Sequence, residues 1–381
     1  MAAIFALTFV SIYTAWLGFR SLGLYRQYKE SGHGWERPVR TFDPALGFRA
    51  LPNVQSTEYF RHGYSVDVRQ DANGFRVPVK DVALPLESAA KVMALGCSFT
   101  FGSGVLAEET FAYRVADAVE GTCLNAGVEG YGLAHMVLQT PELLTTHKPG
   151  IVLVEYAPWL VERALQPVAP TAARWTIPSP YVILDDNSQY AIHPPVFETT
   201  YFELPIGNYV RGPGSIVEAI SFSRRVGVPL WFNSDRHALG YAWGTWRGNY
   251  PKAAERRPEL VAWAYGEIAR ACEENNARMI VVVLGDGGVL PEQLPADELA
   301  ALNAIEGITV VNAYAALFSP LESPTSSAYE AAYGIRNGTP PVLIDRHPNV
   351  VAHRIIAQTV IDALRLEANG GLESPATPEA E

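Results

Sequence analysis

The chain is 381 residues long, and its composition is that of a folded protein with a large apolar core. Hydrophobic residues make up 48% and charged residues 18% of the sequence, which excludes a disordered chain. The formal net charge is −11, and no run of lysine and arginine interleaved with aromatic residues occurs, so a nucleic-acid partner is excluded as well.

The first predicted element is an apolar helix at the N-terminus. Between Ala2 and Leu22 the one charged side chain is Arg20, and this length suits a bilayer crossing at about 1.5 Å of rise per residue. A cleaved signal peptide is the alternative, but no basic residue precedes the stretch and no clear cleavage site follows it. We therefore expect residues 1–22 to form an uncleaved transmembrane anchor.

Residues 23–85 form the second predicted unit, a leading segment with a small β element. Aromatic and β-branched residues from Thr57 to Val68 lie between two clusters of turn residues, Asp43–Arg49 and Asp71–Arg76. A run of this kind, bounded by turns on both sides, is typical of short strands.

Residues 86–368 alternate strand and helix patterns, which predicts a parallel sheet with helices on both faces. The predicted strands are Val92–Leu95, Cys123–Ala126, Ile151–Tyr156, Met279–Leu284 and Ile308–Val311, and the predicted helices are Glu108–Glu120, Leu133–His147, Glu259–Asn275, Pro291–Ala304 and Pro348–Leu366. In such sheets the functional residues lie beyond the carboxyl ends of the strands.

Two segments depart from this alternation. Residues 164–250 are rich in proline, tryptophan and tyrosine without a clear period, which predicts an inserted lobe or lid. Its aromatic side chains either pack the lobe against the sheet or form a sugar-facing wall. Residues 369–381, rich in glutamate, proline and alanine, are expected to form a disordered tail.

A glycine-flanked serine follows the first strand of the predicted sheet. The segment Gly96–Gly102 places Ser98 on a turn, where a base can reach its hydroxyl and backbone amides can face a developing oxyanion. Far downstream, His347 offers such a base and Asp345 its orienting carboxylate. Neither the histidines nor the three cysteines have the spacing of a metal site.

These blocks resemble the SGNH (GDSL-type) hydrolase superfamily. The early Gly-Cys-Ser-Phe-Thr-Phe-Gly and the late Asp-Arg-His-Pro-Asn match its first and last motifs, and Asn125–Gly132 is similar to its second, in which Gly130 joins the oxyanion hole. Two positions differ from the family: Cys97 replaces the aspartate of the first block, and Trp159 replaces the oxyanion asparagine of the third. The resemblance implies a flavodoxin-like, three-layer α/β/α fold.

The resemblance also implies a Ser98–His347–Asp345 catalytic triad. His347 would take the proton of Ser98, and the amides of Ser98 and Gly130 would hold the oxyanion, with no metal or organic cofactor. We expect a serine esterase or O-acyltransferase that acts on acyl esters, acetyl esters above all, of a carbohydrate or other small substrate. The two activities share every step up to the acyl-enzyme, so the sequence leaves both open.

A further expectation concerns the localisation of the protein. The Asp-x-His spacing resembles membrane-linked relatives that modify exported polysaccharides, among them alginate O-acetylation proteins, so we expect a periplasmic or extracytoplasmic domain. The basic residues that follow the anchor favour the opposite orientation.

The alternative function is a catalytically silent glycan-binding or assembly protein, in which Trp159 blocks the oxyanion pocket.

Overall fold

The computed structural model describes residues 1–80, 91–168, 177–185, 187–199, 201–204, 206–210, 212–246 and 256–368, and the predicted tail lies outside these ranges. Its α-helices are α1 (Ala2–Ser31), α2 (Ser98–Phe101), α3 (Phe111–Ala118), α4 (Leu133–His147), α5 (Pro158–Ala164), α6 (Ile206–Val210), α7 (Ile216–Phe222), α8 (Val228–Trp246), α9 (Arg257–Glu274), α10 (Ala296–Asn303), α11 (Ala313–Phe318), α12 (Ser326–Tyr333) and α13 (Val350–Ala368). Its strands are β1 (Gly34–Trp35), β2 (Arg40–Asp43), β3 (Gly47–Ala50), β4 (Gln55–Tyr59), β5 (Ser65–Gln70), β6 (Arg76–Val77), β7 (Lys91–Leu95), β8 (Thr122–Asn125), β9 (Ile151–Tyr156), β10 (Tyr181–Leu184), β11 (Tyr190–His193), β12 (Arg278–Val283), β13 (Ile308–Val311), β14 (Gly334–Asn337) and β15 (Val342–Pro348).

A nine-stranded sheet in the order β1-β4-β5-β6-β8-β7-β9-β12-β13 forms the centre of the fold. The strands from β8 to β13 in this order run parallel to one another. Numbered along the chain, these five strands follow the order 2-1-3-4-5, which is the flavodoxin-like order. Apolar runs fill β7, β9 and β12, because helices cover both faces of the parallel part. The predicted α/β class with a central parallel sheet is confirmed.

Two groups of helices cover this sheet. Helices α3 and α11 contact α13, whereas α4, α5 and α10 contact α9. The helices that connect the parallel strands thus form the two outer layers that the alternation of strand and helix patterns predicts. Their apolar side chains join the sheet in one large cluster of buried residues.

Four strands of the leading segment, β1, β4, β5 and β6, belong to the central sheet, whereas β2 and β3 pair with each other in a two-stranded sheet. Strands β4 and β5 pair antiparallel, and β6 connects them to β8 through the pair Arg76–Asn125. Arg76 is fully buried there. Its guanidinium donates hydrogen bonds to the carbonyls of Phe101, Gly102 and Val105. The alternation of side chains predicts that these segments are strands. It does not predict that β6 pairs with β8, because pairing between distant strands leaves no local pattern in the sequence.

Helix α1 is longer than the predicted anchor and packs on the inserted lobe. It ends at Ser31, before Gly32 adopts a left-handed conformation with φ 60°. In its second half Leu24 and Tyr25 are buried against Phe222 of the lobe. Among the described residues, no helix combines the length and the apolarity that crossing a membrane requires, so the predicted transmembrane anchor is unconfirmed.

The inserted lobe is more regular than its sequence predicts. It contains the hairpin β10–β11, and a π-helical turn, Ser223–Gly227, joins α7 to α8. Several of its described aromatic side chains pack against other side chains: Tyr181 stacks on His193, Tyr190 stacks on Trp263, and Trp231 lies under the guanidinium of Arg20. These contacts favour packing over a sugar-facing wall for these three residues.

The start of the last helix also differs from the prediction. Helix α13 begins at Val350, whereas Pro348, expected at its first position, ends strand β15. The Asn349 side chain caps the helix by accepting hydrogen bonds from amides of its first turn. Asparagine is among the best N-cap residues, which explains the later start. His347 consequently lies in the antiparallel hairpin β14–β15 and not at the helix end.

Candidate active site

Ser98 lies where β7 ends and α2 begins. Gly96, just before it, has no room for a side chain, because a Cβ there would lie 2.3 Å from Glu155 Oε2. Helix α2 ends at Gly102, which adopts a left-handed conformation with φ 81°. Ser98 therefore follows a tight turn and lines an open cleft. The cleft lies at the carboxyl ends of β7 and β9, the point where the strand order reverses and where such sheets bind ligands.

The structure brings Ser98, His347 and Asp345 together. His347 Nε2 is 2.8 Å from Ser98 Oγ, and His347 Nδ1 contacts Asp345 Oδ1. Asp345 also accepts a hydrogen bond from the His347 amide at 2.8 Å. Both residues lie on β15, where a bulge interrupts the pairing with β14 between Asp345 and Pro348. Bulges re-aim side chains, and this one directs the imidazole toward the serine.

The charges around the imidazole favour its protonated form. Burial alone would lower the pKa of His347, but the Asp345 carboxylate, together with Glu58 and Glu129, raises that pKa above its usual value. Burial also opposes ionisation of Asp345, yet His347 lowers the pKa of Asp345 to about 2. Asp345 is thus a carboxylate at neutral pH and can stabilise the imidazolium that a proton from Ser98 would create.

Glu155 holds the serine turn, and the sequence analysis missed it. This residue of β9 accepts hydrogen bonds from the Cys97 amide at 2.9 Å, the Cys97 thiol at 3.0 Å and the Thr100 hydroxyl at 2.7 Å. Its side chain is buried, with 1% of the residue exposed, so these donors offset the cost of burying a carboxylate. The available signal was a lone carboxylate inside the otherwise apolar strand Ile151–Tyr156.

Cys97 connects Glu155 to Trp159. Burial, together with the Glu155 charge, raises the pKa of Cys97 to about 11, so the side chain remains a thiol. Its sulfur accepts the indole N–H of Trp159 at 3.4 Å. The Trp159 N–H is therefore directed at Cys97, while the indole lines the cleft beside Phe99.

Gly130, the predicted second oxyanion donor, is not among the described residues that line this cleft. It adopts a left-handed conformation with φ 86°, and a Cβ there would lie 3.4 Å from the Phe48 ring. The carbonyl of Glu129 just before it accepts a hydrogen bond from Arg40 at 2.9 Å. A role for Gly130 in an oxyanion hole stays a prediction.

The cleft around the three residues has a volume of about 610 Å³. Its wall combines cationic, acidic and aromatic side chains, namely Arg61, Arg163, Arg346, Asp286, Asp345, Phe99 and Trp159. Arg61 and Arg163 are held in place by hydrogen bonds to the carbonyls of Ile344 and Tyr131. The cleft can thus offer hydrogen-bond donors and aromatic faces to a small polar molecule.

A second polar cluster has the donor atoms of a metal site. His33, Glu58 and Glu129 each offer one such atom, and these atoms lie within 4.8 Å of one another. His33 Nε2 is 3.0 Å from Glu58 Oε1, and Arg40 lies 3.5 Å from Glu129. Burial opposes protonation of His33, but its hydrogen bond to Glu58 and the surrounding carboxylates raise the pKa of His33 to about 9. Two cationic side chains thus balance the two carboxylates, and the cluster needs no metal ion to neutralise its charge.

No family model matches the chain, and no curated protein matches it. Solved structures do match. A member of the lipolytic protein G-D-S-L family from Veillonella parvula is 11% identical, with 73% of this chain and 99% of that chain covered and a TM-score of 0.31. A two-domain esterase active on acetylated mannans is 13% identical, with 77% and 53% covered and a TM-score of 0.36. A carbohydrate esterase family 2 enzyme from Corynascus thermopiles is 10% identical, with 83% and 73% covered and a TM-score of 0.36. The likeness to each of these structures is distant.

Proposed function

We propose that the chain is a serine esterase or O-acyltransferase of the SGNH hydrolase superfamily, with Ser98 as nucleophile, His347 as base and Asp345 as its orienting acid. The observation that carries this proposal is the 2.8 Å separation of His347 Nε2 from Ser98 Oγ, with Asp345 at the other ring nitrogen. A serine hydroxyl beside an imidazole that a carboxylate holds in place is the arrangement that acyl transfer requires.

In the first step His347 accepts the Ser98 proton while Oγ bonds to the acyl carbon. The carbonyl oxygen becomes an oxyanion, for which the amides of Ser98 and Gly130 are the proposed donors. When the tetrahedral intermediate collapses, His347 gives the proton to the leaving alcohol. The acyl group then remains on Ser98.

The second step transfers the acyl group to water or to a sugar hydroxyl. His347 takes the proton of the acceptor in either case and returns it to Ser98 Oγ when the bond between Oγ and the acyl carbon breaks, so the esterase and the acyltransferase use the same residues. The acceptor that fits beside the acyl-enzyme decides between them. Incubation with an aryl acetate and a sugar acceptor distinguishes the two, since a transferase yields acetylated sugar and an esterase yields acetate.

We infer that the substrate is an acyl ester of a carbohydrate or of another small polar molecule. Trp159 offers an aromatic surface in the cleft, on which the apolar face of a sugar ring can pack. Arg61 and Arg163 have guanidinium groups that can donate hydrogen bonds to sugar oxygens. A volume of about 610 Å³ is in the range of small-molecule sites.

Labelling with a fluorophosphonate probe tests the triad, because the probe reacts with activated serines. We expect an adduct at Ser98 in the full chain, none in Ser98→Ala, and strongly slowed labelling in His347→Ala. Ser323→Ala, which changes an exposed serine, is the matched control and should label like the native chain. Absence of an adduct at Ser98 in the folded native chain would overturn the proposal.

A catalytically silent glycan-binding or assembly protein is the second candidate function. The observation that favours it is the direction of the Trp159 N–H toward Cys97, which removes an oxyanion donor at the family's asparagine position. This candidate predicts that an acetylated oligosaccharide binds to the chain in calorimetry although Ser98 does not react with the probe.

A further inference from the structure

Exposed apolar side chains are concentrated on three helices, α1, α7 and α8. They are between 53% and 78% exposed and comprise Phe5, Leu7, Phe9, Val10, Ile12, Trp16 and Phe19 of α1, Ile216, Val217 and Ile220 of α7, and Phe232 and Leu239 of α8. We call this set the lobe surface. Single exposed apolar side chains are ordinary, whereas a group of this size marks an interaction surface.

The helices that carry the lobe surface pack on one another. Helix α1 contacts both α7 and α8. A groove of about 650 Å³ between α1 and α8 is lined by Phe9 and Trp16 on one side and by Phe232 and Leu239 on the other. Arg20 of α1 pairs with Asp235 of α8 at 2.5 Å, which holds the two helices together. The surface therefore belongs to the folded unit and not to α1 alone.

Positive charge flanks the lobe surface in an otherwise acidic protein. Residues 1–31 and 213–246 contain six lysines and arginines against three aspartates and glutamates, a net charge of +3, whereas the whole chain carries −11. The exposed cations of these segments are Arg26, Arg224, Arg225 and Arg236. Exposed cations beside exposed apolar side chains complement a surface with anionic headgroups above an apolar interior.

We propose that the lobe surface docks on an anionic lipid bilayer. The apolar side chains of α1, α7 and α8 enter the interfacial region, and the arginines contact headgroup phosphates. Docking of this kind requires no helix to cross the bilayer. It goes beyond the proposed ester chemistry, because none of its residues lines the cleft that contains Ser98.

Vesicle flotation with the full chain tests the docking. The probes are vesicles of phosphatidylcholine alone and of phosphatidylcholine with phosphatidylglycerol. We expect stronger binding to the anionic vesicles, with the difference reduced by salt. The double variant Phe232→Asp/Leu239→Asp should bind anionic vesicles about tenfold less or weaker still, since it removes apolar contact and adds negative charge. Arg224→Glu/Arg225→Glu should remove the preference for anionic vesicles.

Val351→Asp/Leu366→Asp is the matched control, because both residues are exposed apolar residues of α13 outside the lobe surface. This control should float like the native chain. Circular dichroism verifies that each variant is folded, and Ile216→Asp on α7 replaces any α8 variant that fails to fold. Unchanged flotation of the α8 and α7 variants would overturn the proposal, and so would self-association through these residues in light scattering without vesicle binding. A chain that floats but does not label refutes the ester chemistry alone.

Discussion

Glu155 accepts hydrogen bonds from two residues of the turn that carries Ser98, Cys97 and Thr100. In Glu155→Gln an amide group replaces one carboxylate oxygen and faces donors, which leaves buried donors without an acceptor. We expect the variant to lose about 2 kcal/mol of unfolding free energy. We also expect kcat for an aryl acetate to fall about tenfold to a hundredfold with little change in KM, because the proposed nucleophile is displaced. Urea unfolding and steady-state kinetics measure the two effects.

Glu162→Gln is the control for this change, since the Glu162 side chain is 60% exposed on the neighbouring helix α5. It should leave stability and kcat unchanged. If Glu155→Gln unfolds at the same urea concentration as the native chain and retains its kcat, Glu155 does not position the nucleophile.

The sequence identified the three proposed triad residues but not the residues that hold them. Ser98, Asp345 and His347 stand in recognisable blocks, because acyl transfer restricts which residue types can occupy those positions. Glu155 and Arg76 stabilise the turn through contacts between segments that are distant in the chain, and no local spacing reports such contacts. The resemblance aligned Trp159 with an oxyanion donor, whereas its N–H is bonded to the Cys97 sulfur.

Among the elements, the hairpin β14–β15 places the imidazole of His347 in an acidic environment. The proposed base acts only when neutral, so kcat/KM should rise with pH through the pKa of His347. Asp345, Glu58 and Glu129 raise that pKa, and the acidic limb of the profile is accordingly displaced to higher pH than for an ordinary histidine. Glu129→Gln removes one of these negative charges, so we expect the acidic limb to move to lower pH.

The pH profile of kcat/KM for an aryl acetate measures this displacement. Glu267→Gln is the control, because Glu267 forms an ion pair with Arg270 on helix α9. The profile of the control should match that of the native chain. A limb that stays in place or moves to higher pH in Glu129→Gln would contradict the electrostatic account.

The boundaries of helices and strands could be predicted where they depend on a local sequence pattern. They could not be predicted where a contact with another residue or strand determines them. Helix α4 and strands β9 and β13 begin and end at the predicted residues, because the apolar pattern of each lies within a single short segment. Helix α13 starts later than expected because the Asn349 cap determines its first turn. The leading strands join the central sheet through β6 and β8, a pairing that strand patterns do not encode.

At the scale of the whole molecule, His33 is hydrogen-bonded to Glu58, and the Glu58 carboxylate links the leading segment to the rest of the chain by accepting a hydrogen bond from the Gly104 amide. Its pKa rises from 6.5 in the unfolded chain to about 9 in the folded one, so the folded state binds the proton more tightly. The stability from this interaction is fully present below pH 6.5 and is lost as the pH rises through about 9.

Urea unfolding of the native chain and of His33→Gln at pH 6.5 and pH 9 isolates this contribution. Between these two pH values the free energy of unfolding should fall by about 1 kcal/mol more in the native chain than in the variant. The effect is modest because the His33 side chain is 39% exposed and solvent screens its pairing with Glu58. Arg37→Gln, at an exposed position nearby, should retain the native pH dependence. Equal losses in the native chain and in His33→Gln would refute the assignment.

The separation of Ser98 from His347 along the chain has a consequence for biosynthesis. The two residues are 249 positions apart, and the hairpin with His347 packs on the leading segment through Phe60, Ile335 and Ile344. A chain that emerges from the ribosome N-terminus first exposes its serine long before the partner imidazole has been translated. Under the proposed function, the nascent protein holds an unactivated hydroxyl, and reactivity toward esters arises only when the hairpin with His347 closes onto the leading segment.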